Sequence, residues 1–186
     1  MWEHINTLTA IATFLVIAAA AAAAIVQLRH LRSANQIAAI MSIVNHTQSK
    51  EFVEYIRFIR GELPGKLETF EFRDDIDSRR RLDASGHPEH RVASFFEQLG
   101  IFCKYGFIDA APLLDLYAGY ISMIWDQLMP TIAILRRTNV RQMENFEYLT
   151  ILARRWLATH PAGAFPGYLQ RLPVTDMWPE DRSRRC

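Results

Sequence analysis

The densest group of side chains that could do chemistry in this sequence is residues 87–90 (HPEH). A zinc-binding HExxH motif places its two histidines four positions apart on one helical face, but here the spacing is three and Pro88 lies between them. No cysteine or third histidine lies nearby to complete a metal site. Proline is favoured in the first turn of a helix, where an acidic residue also suits the helix dipole. We therefore predict that this group starts a helix, with His90 in solvent.

Asp115 and Asp126 are a second candidate, because they are the only charged residues between Asp109 and Arg136. Two carboxylates in apolar surroundings can serve as general acid and general base. Alternatively, carboxylates on an apolar helix lie at its rim or pair with an arginine, and residues 154–155 (RR) offer such a partner. The sequence favours the ion-pair interpretation over the catalytic one.

A third group of charges lies in residues 66–86, with the segments DDID at 74–77 and RRR at 79–81. Calcium binding by the aspartates and phosphate binding by the arginines are the chemical hypotheses for this stretch. The aspartates, however, lack the glycine and glutamate spacing of an EF-hand loop. We expect a solvated connector that includes a short helix.

Motifs that would identify a hydrolase, a nucleotide-binding protein or a redox enzyme are missing from the sequence. There is no GxSxG nucleophile elbow, Walker loop, GxGxxG or CxxC. The formal net charge of +1 gives no support for nucleic-acid binding. Cys103 and Cys186 form no disulfide framework, which is typical of a reducing compartment. We predict no catalytic, cofactor-binding or metal-binding residues, no cofactor and no nucleic-acid partner.

The first structural element is residues 5–28, which contain no Asp, Glu, Lys or Arg, whereas all 21 Lys and Arg follow. This stretch is long enough to cross a hydrocarbon core about 30 Å thick as a helix. A cleaved signal peptide is the alternative, but the sequence lacks its positively charged start and the apolar run is longer. We therefore predict an uncleaved anchor. Arg29 and Arg32 follow it and no cation precedes it, which predicts a single-pass inner (plasma) membrane protein with a cytoplasmic C-terminal domain.

Seven consecutive alanines, residues 18–24, lie within this anchor. In one interpretation they simply favour helix formation. In the other, small residues at four-residue spacing let two helices pack closely within the membrane. Both interpretations are open, and the second predicts self-association.

Beyond the membrane the helix is expected to continue as an amphipathic rod over residues 29–60, which contain no Pro or Gly. Apolar side chains recur there about every 3.67 residues, the period of a nearly straight helix. This stripe consists of Ile37, Met41, Val44, Phe52, Tyr55 and Ile59. Residues 45–49 (NHTQS) are a weak point at which the helix bends or restarts. We predict that the following domain or a second copy of the chain covers the stripe.

Three more helices are predicted after residues 61–65 (GELPG) end the rod. The first begins at Pro88, and Gly106 suits its C-terminal cap. The second is capped by Asp109 and runs to Leu135. It is the most buried of the three because it carries so few charges.

This central helix is predicted to place Trp125 in the core and to be kinked by Pro130, which cannot donate a backbone hydrogen bond. The last helix spans about 142–159. No strand pattern competes, so we predict an all-α protein. Its predicted divisions are a transmembrane anchor at 1–28, a juxtamembrane amphipathic helix at 29–60, a charged connector at 61–87, a small helical bundle at 88–160 and a proline-containing tail at 161–186.

Several segments together resemble a family of uncharacterised bacterial membrane-associated proteins, which is defined only as a domain of unknown function. The matching segments are residues 27–36 (QLRHLRSANQ), 87–89 (HPE), 95–100 (FFEQLG), 106–109 (GFID), Trp125 and 146–149 (FEYL). The resemblance covers most of residues 25–157. It implies an N-terminal anchor followed by a helical domain, and it implies no activity, cofactor or site residue.

Three classes of function are compatible with these features. The favoured one is a membrane-tethered interaction or scaffolding protein, such as an accessory subunit of a membrane complex. The second is a self-assembling membrane effector whose anchors oligomerise. The third is an enzyme that uses Asp115 and Asp126. The predicted partners are the lipid bilayer and either another protein or further copies of the chain, through the anchor and the juxtamembrane helix.

Overall fold

The structure is a computed structural model that describes the backbone of residues 2–77, 86–175 and 177–178, and their side chains apart from those of residues 3–11. Within these ranges the chain is all-α, as predicted: it forms seven helices and no strand. The helices are α1 (Trp2–Thr47), α2 (Lys50–Gly61), α3 (Leu63–Leu67), α4 (Phe70–Asp77), α5 (Pro88–Lys104), α6 (Ala110–Arg136) and α7 (Glu144–Thr159).

The long N-terminal helix ends within the predicted weak point and the chain restarts as α2. Ser49 takes an extended conformation and its side chain accepts a hydrogen bond from the backbone N–H of Phe52, which caps the new helix. The side chain of Thr47 donates to the carbonyl of Ile43 within the last turn of α1. Side chains that compete for backbone hydrogen bonds in this way explain the break between the two helices.

The core is built around α6, which packs against α7, while α5 packs against α7 and α2. Trp125 is 9% exposed and meets the ring of Phe146 edge-on at 5.0 Å, as expected for the centre of the bundle. The ring of Phe146 also stacks on Phe96 of α5 at 5.0 Å. Contacts between large rings bury much apolar area and fix the mutual position of the three helices.

The charged connector is more ordered than the sequence suggested. Its first part forms α3 and α4, and α4 packs against α6. Leu63 and Ile76 are 1% and 3% exposed, so this segment contributes to the core rather than lying in solvent. The arginines at 79–81, for which phosphate binding was considered, lie outside the described residues.

The predicted helix ends agree closely with the structure. Pro88 occupies the first turn of α5, and Gly106 follows that helix with a φ of 71°. The Asp109 side chain accepts a hydrogen bond from the N–H of Ala111 at the start of α6. The last helix begins at Glu144 instead of residue 142, because Met143 takes a left-handed conformation with a φ of 58°.

Residues 161–175, after α7, contain no regular secondary structure and are exposed. Their side chains contact one another locally: the Arg171 guanidinium lies 4.9 Å from the centre of the Phe165 ring. The described part of the tail is therefore irregular and on the surface, and it adds nothing to the core.

Candidate functional site

The two halves of α1 have different surroundings. Every residue from 12 to 35 is exposed, and burial against the bundle begins at Gln36. Among the described residues, α1 is the one helix that is long and apolar enough to cross a membrane. The junction between this helix and the bundle therefore decides how the rest of the protein sits relative to the apolar segment.

The end of the junction that lies nearest to the exposed half of α1, which we call its upper end, is held by the side chain of Gln36. The Gln36 side chain donates to the backbone carbonyl of Phe107 at 3.1 Å and accepts from the backbone N–H of Asp109 at 2.8 Å. Both partners lie in the loop between α5 and α6; we call this loop together with the last turn of α5 the α5–α6 corner (residues 102–109). A single glutamine thus ties α1 to this corner through both the NH2 group and the carbonyl oxygen of its side-chain amide.

At its lower end the junction combines polar and aromatic contacts. The Thr47 and Tyr117 hydroxyls are hydrogen-bonded at 3.1 Å, and the His46 ring lies 4.7 Å from the Phe95 ring. Between the two ends, Ile43 is 6% exposed and joins the core. Contacts at both ends and in the middle hold α1 in one orientation on the bundle.

The predicted apolar stripe was wrong in its first half. Phe52 and Ile59 are buried at 2% and 1% exposure, as expected, and Val44 and Tyr55 are partly buried. Ile37 and Met41, however, are 65% and 51% exposed. The break after Thr47 changes the phase of the helix, so one stripe cannot continue from α1 into α2. The docked face of α1 is instead formed by Gln36, Ala39, Ile40, Ile43 and Thr47.

A cavity of about 850 Å³ opens beside the upper end of the junction, between α1 and the α5–α6 corner. Its lining includes Arg32 and Ile37 from α1 and Cys103 from α5. Burial raises the pKa of the Cys103 thiol to about 11, so this cysteine stays protonated and weakly nucleophilic at neutral pH. The cavity therefore contains no activated nucleophile among these side chains.

A cluster of ionisable side chains, two of them buried, lies elsewhere in the described chain, at the start of α5. His87 and Glu89 are 2% and 1% exposed. His87 Nδ1 lies 2.6 Å from Glu89 Oε1, and His87 Nε2 lies 2.9 Å from Asp75 Oδ2 on α4. The Phe72 ring stacks on the imidazole at 5.0 Å. We call Asp75, His87 and Glu89 the histidine–carboxylate cluster.

Burial and hydrogen bonding act in opposite directions on this cluster. Burial alone would lower the pKa of His87, but the hydrogen bonds to Asp75 and Glu89 outweigh it, so the net pKa is raised. Burial raises the pKa of Glu89, and the bond to His87 only partly opposes this. Both groups therefore hold a proton more tightly in the folded protein than in the unfolded chain.

Chemically, the cluster connects α4 to α5 and does not resemble a catalytic base. Both ring nitrogens of His87 are engaged by carboxylates, so neither is available to a substrate. In the described part of the chain, no group of three or more His, Cys, Asp or Glu side chains is arranged to hold a metal ion. The expectation of a helix start at residues 87–90 was correct, but His90 is partly buried rather than solvated, and burial lowers its pKa.

The two carboxylates on α6 do not form a site together. Asp126 pairs with Arg154 at 2.5 Å, as the ion-pair interpretation predicted, and Asp115 is exposed. Eleven residues separate the two aspartates, which corresponds to about 16 Å along a helix. Paired carboxylates that act on one bond lie within about 10 Å of each other.

The segments that carried the family resemblance meet where α5 faces α7. Glu97 accepts hydrogen bonds from the backbone N–H groups of Asn145 and Phe146 at 3.0 and 2.8 Å, and so caps the first turn of α7. A Cβ at Gly100 would lie 2.0 Å from the Asn145 carbonyl oxygen, so only glycine permits this close approach. The FFEQLG and FEYL segments are thus explained by helix packing and capping.

Comparison with known proteins adds one finding. Neither the curated proteins nor the solved structures contain a match to this chain. One family model matches residues 14–156, which include the exposed part of α1 from residue 14 onward, the junction and the bundle through Trp156. The chain therefore belongs to the family described as Domain of unknown function (DUF4760).

Proposed function

We propose that this protein is a single-pass, membrane-tethered interaction protein, whose helical bundle is held at a membrane surface to bind a protein partner. The observation that carries the proposal is the division of α1. Residues 12–35 are exposed along their whole length, and the same unbroken helix then docks on the bundle. A helix that is apolar on all sides and uncovered by its own chain is typical of a membrane span.

The energetics support a bilayer as the environment of the exposed half. Seven large apolar side chains between residues 12 and 28 are each more than half exposed: Phe14, Leu15, Val16, Ile17, Ile25, Val26 and Leu28. Full burial of a large apolar side chain contributes about 1.5–3 kcal/mol, so transfer of this surface out of water contributes on the order of 10 kcal/mol. A soluble protein rarely leaves such a contiguous apolar surface in water.

The proposed orientation places the bundle in the cytoplasm, with the span in the inner (plasma) membrane. It is supported by Arg29 and Arg32, which follow the span, whereas no Lys or Arg precedes it. Labelling from outside the cell tests this orientation. A cysteine inserted before Trp2 should react with an impermeant maleimide, and Cys186 should react only after lysis. Labelling of Cys186 in intact cells would contradict the orientation.

An interaction role is favoured over catalysis because the ionisable groups are used for structure. The histidine–carboxylate cluster has both imidazole nitrogens occupied, and Asp126 is paired with Arg154. The junction, in contrast, orients the bundle relative to the span through the contacts of Gln36, Ile43 and Thr47. This arrangement suits a module that presents a fixed surface to a partner in the same membrane.

Self-assembly through the anchor is the second candidate, and it is favoured by residues 18–24. These seven alanines are all exposed on α1 and leave a thin, smooth helix surface. Small residues four positions apart allow transmembrane helices to approach closely. In this alternative, the partner of the protein is another copy of itself.

Replacement of the anchor separates the two candidates. The full chain and a chimera in which an unrelated monomeric transmembrane helix replaces residues 5–28 are purified in mild detergent, and the bound proteins are identified by mass spectrometry. We expect both to retain the same stoichiometric partner, because the bundle binds it. Loss of assembly in the chimera, with a homo-oligomer in the parent, would instead support self-assembly. A monomer without any partner in both cases would contradict the proposed function.

A further inference from the structure

The directions of the helices identify which end of the bundle lies nearest to the exposed half of α1. His46, near the end of α1, contacts Phe95 in the middle of α5, whereas the cavity lined by Arg32 and Ile37 also contacts Cys103 at the end of α5. Helix α5 therefore runs antiparallel to α1, back towards its N-terminal half. Helix α6 then leads away from that half. Gln36 contacts Asp109 just before α6, and Thr47, eleven residues further along α1, contacts Tyr117 within α6. The α5–α6 corner is thus at the end of the bundle that faces the apolar segment.

This corner carries a cluster of exposed aromatic rings. Phe102, Tyr105 and Phe107 are 40%, 67% and 67% exposed. The Phe107 ring lies 6.4 Å from the rings of both Phe102 and Tyr105, so the three form one continuous patch. Lys104 is exposed next to them. Three neighbouring aromatic rings in water are costly unless another phase or another molecule covers them.

The distance along α1 places this patch close to the expected membrane surface. Gln36 is the point at which α1 contacts the corner, and Leu28 is the last residue of the apolar run. Eight residues of helix correspond to about 12 Å. The headgroup layer on each side of a hydrocarbon core is about 5–7 Å thick. The corner backbone is therefore about 5–7 Å outside this layer, within reach of an aromatic side chain, and tilting of α1 brings it closer.

The geometry points to the α5–α6 corner as a second membrane contact, in which the Tyr105 and Phe107 rings lie in the headgroup layer next to the transmembrane span. This inference rests on the proposed membrane tether. The chemistry of the corner fits lipid, because aromatic rings are enriched at membrane interfaces. Arg32 lines the cavity beside the corner, and Lys104 lies next to the rings with its ammonium also donating to the Asn145 side chain at 3.3 Å. Arg29 follows the apolar run, one helical turn before Arg32. These positive charges attract anionic headgroups.

Continuity with the anchor favours lipid over a protein as the occupant. The patch and the apolar half of α1 are joined through the Gln36 contacts, so insertion of the span brings the corner to the bilayer without any further association step. A second contact point fixes the tilt of α1 and the rotation of the bundle about it. The membrane would then set which bundle surface faces a partner.

Depth-dependent quenching of site-specific labels tests this inference on the full chain. In a Cys103→Ala, Cys186→Ser background, single cysteines are introduced as Phe107→Cys, Tyr105→Cys, Val140→Cys or Val16→Cys and labelled with a small fluorophore. Val140 is 78% exposed in the α6–α7 loop and serves as the matched distal control, whereas Val16 is 68% exposed on α1 and reports on the anchor. The proteins are reconstituted in phosphatidylcholine–phosphatidylglycerol vesicles that carry spin labels in the headgroup or deep in the acyl chain.

We expect headgroup spin labels to remove most of the fluorescence at positions 105 and 107 and little at position 140, while acyl-chain spin labels quench position 16. Quenching at position 16 with none at 105 and 107 would overturn the second contact and leave the tether intact. No quenching at position 16 would instead overturn the tether itself. A second copy that covers the corner would protect the labels at positions 105 and 107 from lipid quenchers. Dilution of the protein in the membrane would then expose these labels to an aqueous quencher, and this result would also contradict the inference.

Discussion

The two halves of α1 belong to one unbroken helix but differ in composition and in what surrounds their side chains. The half made of residues 12–35 is exposed throughout and is apolar on every side up to Leu28, whereas the half from Gln36 to Thr47 has one face on the bundle. Local helix propensity is sufficient in both halves, so the difference lies in what covers the side chains. A uniform apolar surface suits a bilayer, and a two-faced surface suits a bundle.

The contrast also shows that docking is not simply apolar. The docked half is held at its ends by Gln36 and Thr47, both polar, with Ile43 between them. Hydrogen bonds fix direction and register, and the buried isoleucine contributes apolar area. In the proposed tethered arrangement, the bilayer constrains the depth of the exposed half and these contacts with the bundle constrain its orientation.

Charge substitutions on the two faces near the junction should have the most unequal effects. Phe52 is 2% exposed and packs edge-on against Phe95 at 5.3 Å, whereas Met41 is 51% exposed. We expect Phe52→Glu to unfold the bundle, because it combines the loss of a buried ring, worth about 3–5 kcal/mol, with an unpaired buried charge. Met41→Glu should leave the fold intact. Circular dichroism and size-exclusion chromatography in detergent would show this, and an unfolded Met41→Glu protein would mean that the predicted stripe was correct after all.

Truncation of Trp125 should be nearly as damaging. Its ring is buried against Phe146, and large aromatic truncations in a core cost about 3–5 kcal/mol. Denaturant unfolding of the full chain in detergent measures this loss, because a fragment that starts at residue 61 would lack the buried Phe52 and Ile59 of α2. Trp178→Ala, at a position that is 65% exposed, is the control and should unfold as the parent does. Equal midpoints for the two variants would show that Trp125 is not in the core.

Adding one methyl group to either of two helical glycines sharpens the contrast between packed and open surfaces. At Gly100 the new Cβ would meet the Asn145 carbonyl at 2.0 Å, whereas at Gly119 nothing lies within 4 Å. We expect Gly100→Ala to lose about 1–3 kcal/mol of unfolding free energy through overpacking between α5 and α7. Gly119→Ala should be neutral or gain up to about 1 kcal/mol from helix propensity. Thermal unfolding of the pair decides this, and a tolerated Gly100→Ala would disprove the close approach of α7.

The histidine–carboxylate cluster predicts a smaller, pH-dependent effect. Because the pKa values of His87 and Glu89 are raised in the folded state, both groups stabilise the fold at low pH. This stabilisation should decrease as the pH rises from the usual glutamate value of 4.5 through and above the usual histidine value of 6.5. His90, whose pKa is lowered, contributes in the opposite direction as the pH falls below 6.5.

Comparison of the parent with Glu89→Gln tests this pH dependence, because the variant removes the titration of Glu89 and also one of the contacts that raise the pKa of His87. Glutamine has the same shape as glutamate and cannot titrate, so the variant should lose stability less steeply between pH 5 and pH 8, on the order of 1 kcal/mol per unit of pKa shift removed. Denaturation midpoints at several pH values measure the slope. An unchanged slope would contradict raised pKa values for the Glu89 and His87 pair in the folded protein.

Much of the fold could be predicted from sequence because it depends on local chemistry. The cap at Asp109, the glycine at Gly106, the start at Pro88 and the burial of Trp125 follow from residue type and helical periodicity, and each was confirmed. The apolar segment of α1 needed only length and composition.

The rest depends on contacts between distant segments, for which the sequence carries no periodic signal. The histidine–carboxylate cluster brings Asp75 and His87 together across twelve positions, and the Glu97 cap on α7 joins residues 48 and 49 positions apart. The face of α1 that docks could not be identified either, because Gln36 and Thr47 are polar and the break before α2 shifts the helical phase. The HPE, FFEQLG and FEYL segments, which carried part of the family resemblance, contain several of these residues, but the sequence does not show which residues they contact.

Alkaline carbonate extraction of cell membranes tests the division of α1 most directly. The parent chain is compared with a variant that lacks residues 2–28 and with Leu15→Arg/Ile17→Arg, in which each charge costs about 2.5–3.5 kcal/mol of insertion free energy near the helix centre. We predict that the parent stays in the membrane pellet with its N-terminus intact. The truncated chain should be soluble, and its circular dichroism should be that of a folded bundle, while the double arginine variant should be largely extracted. Release of the parent into the supernatant, or a mature chain that begins near residue 25, would contradict the membrane anchor.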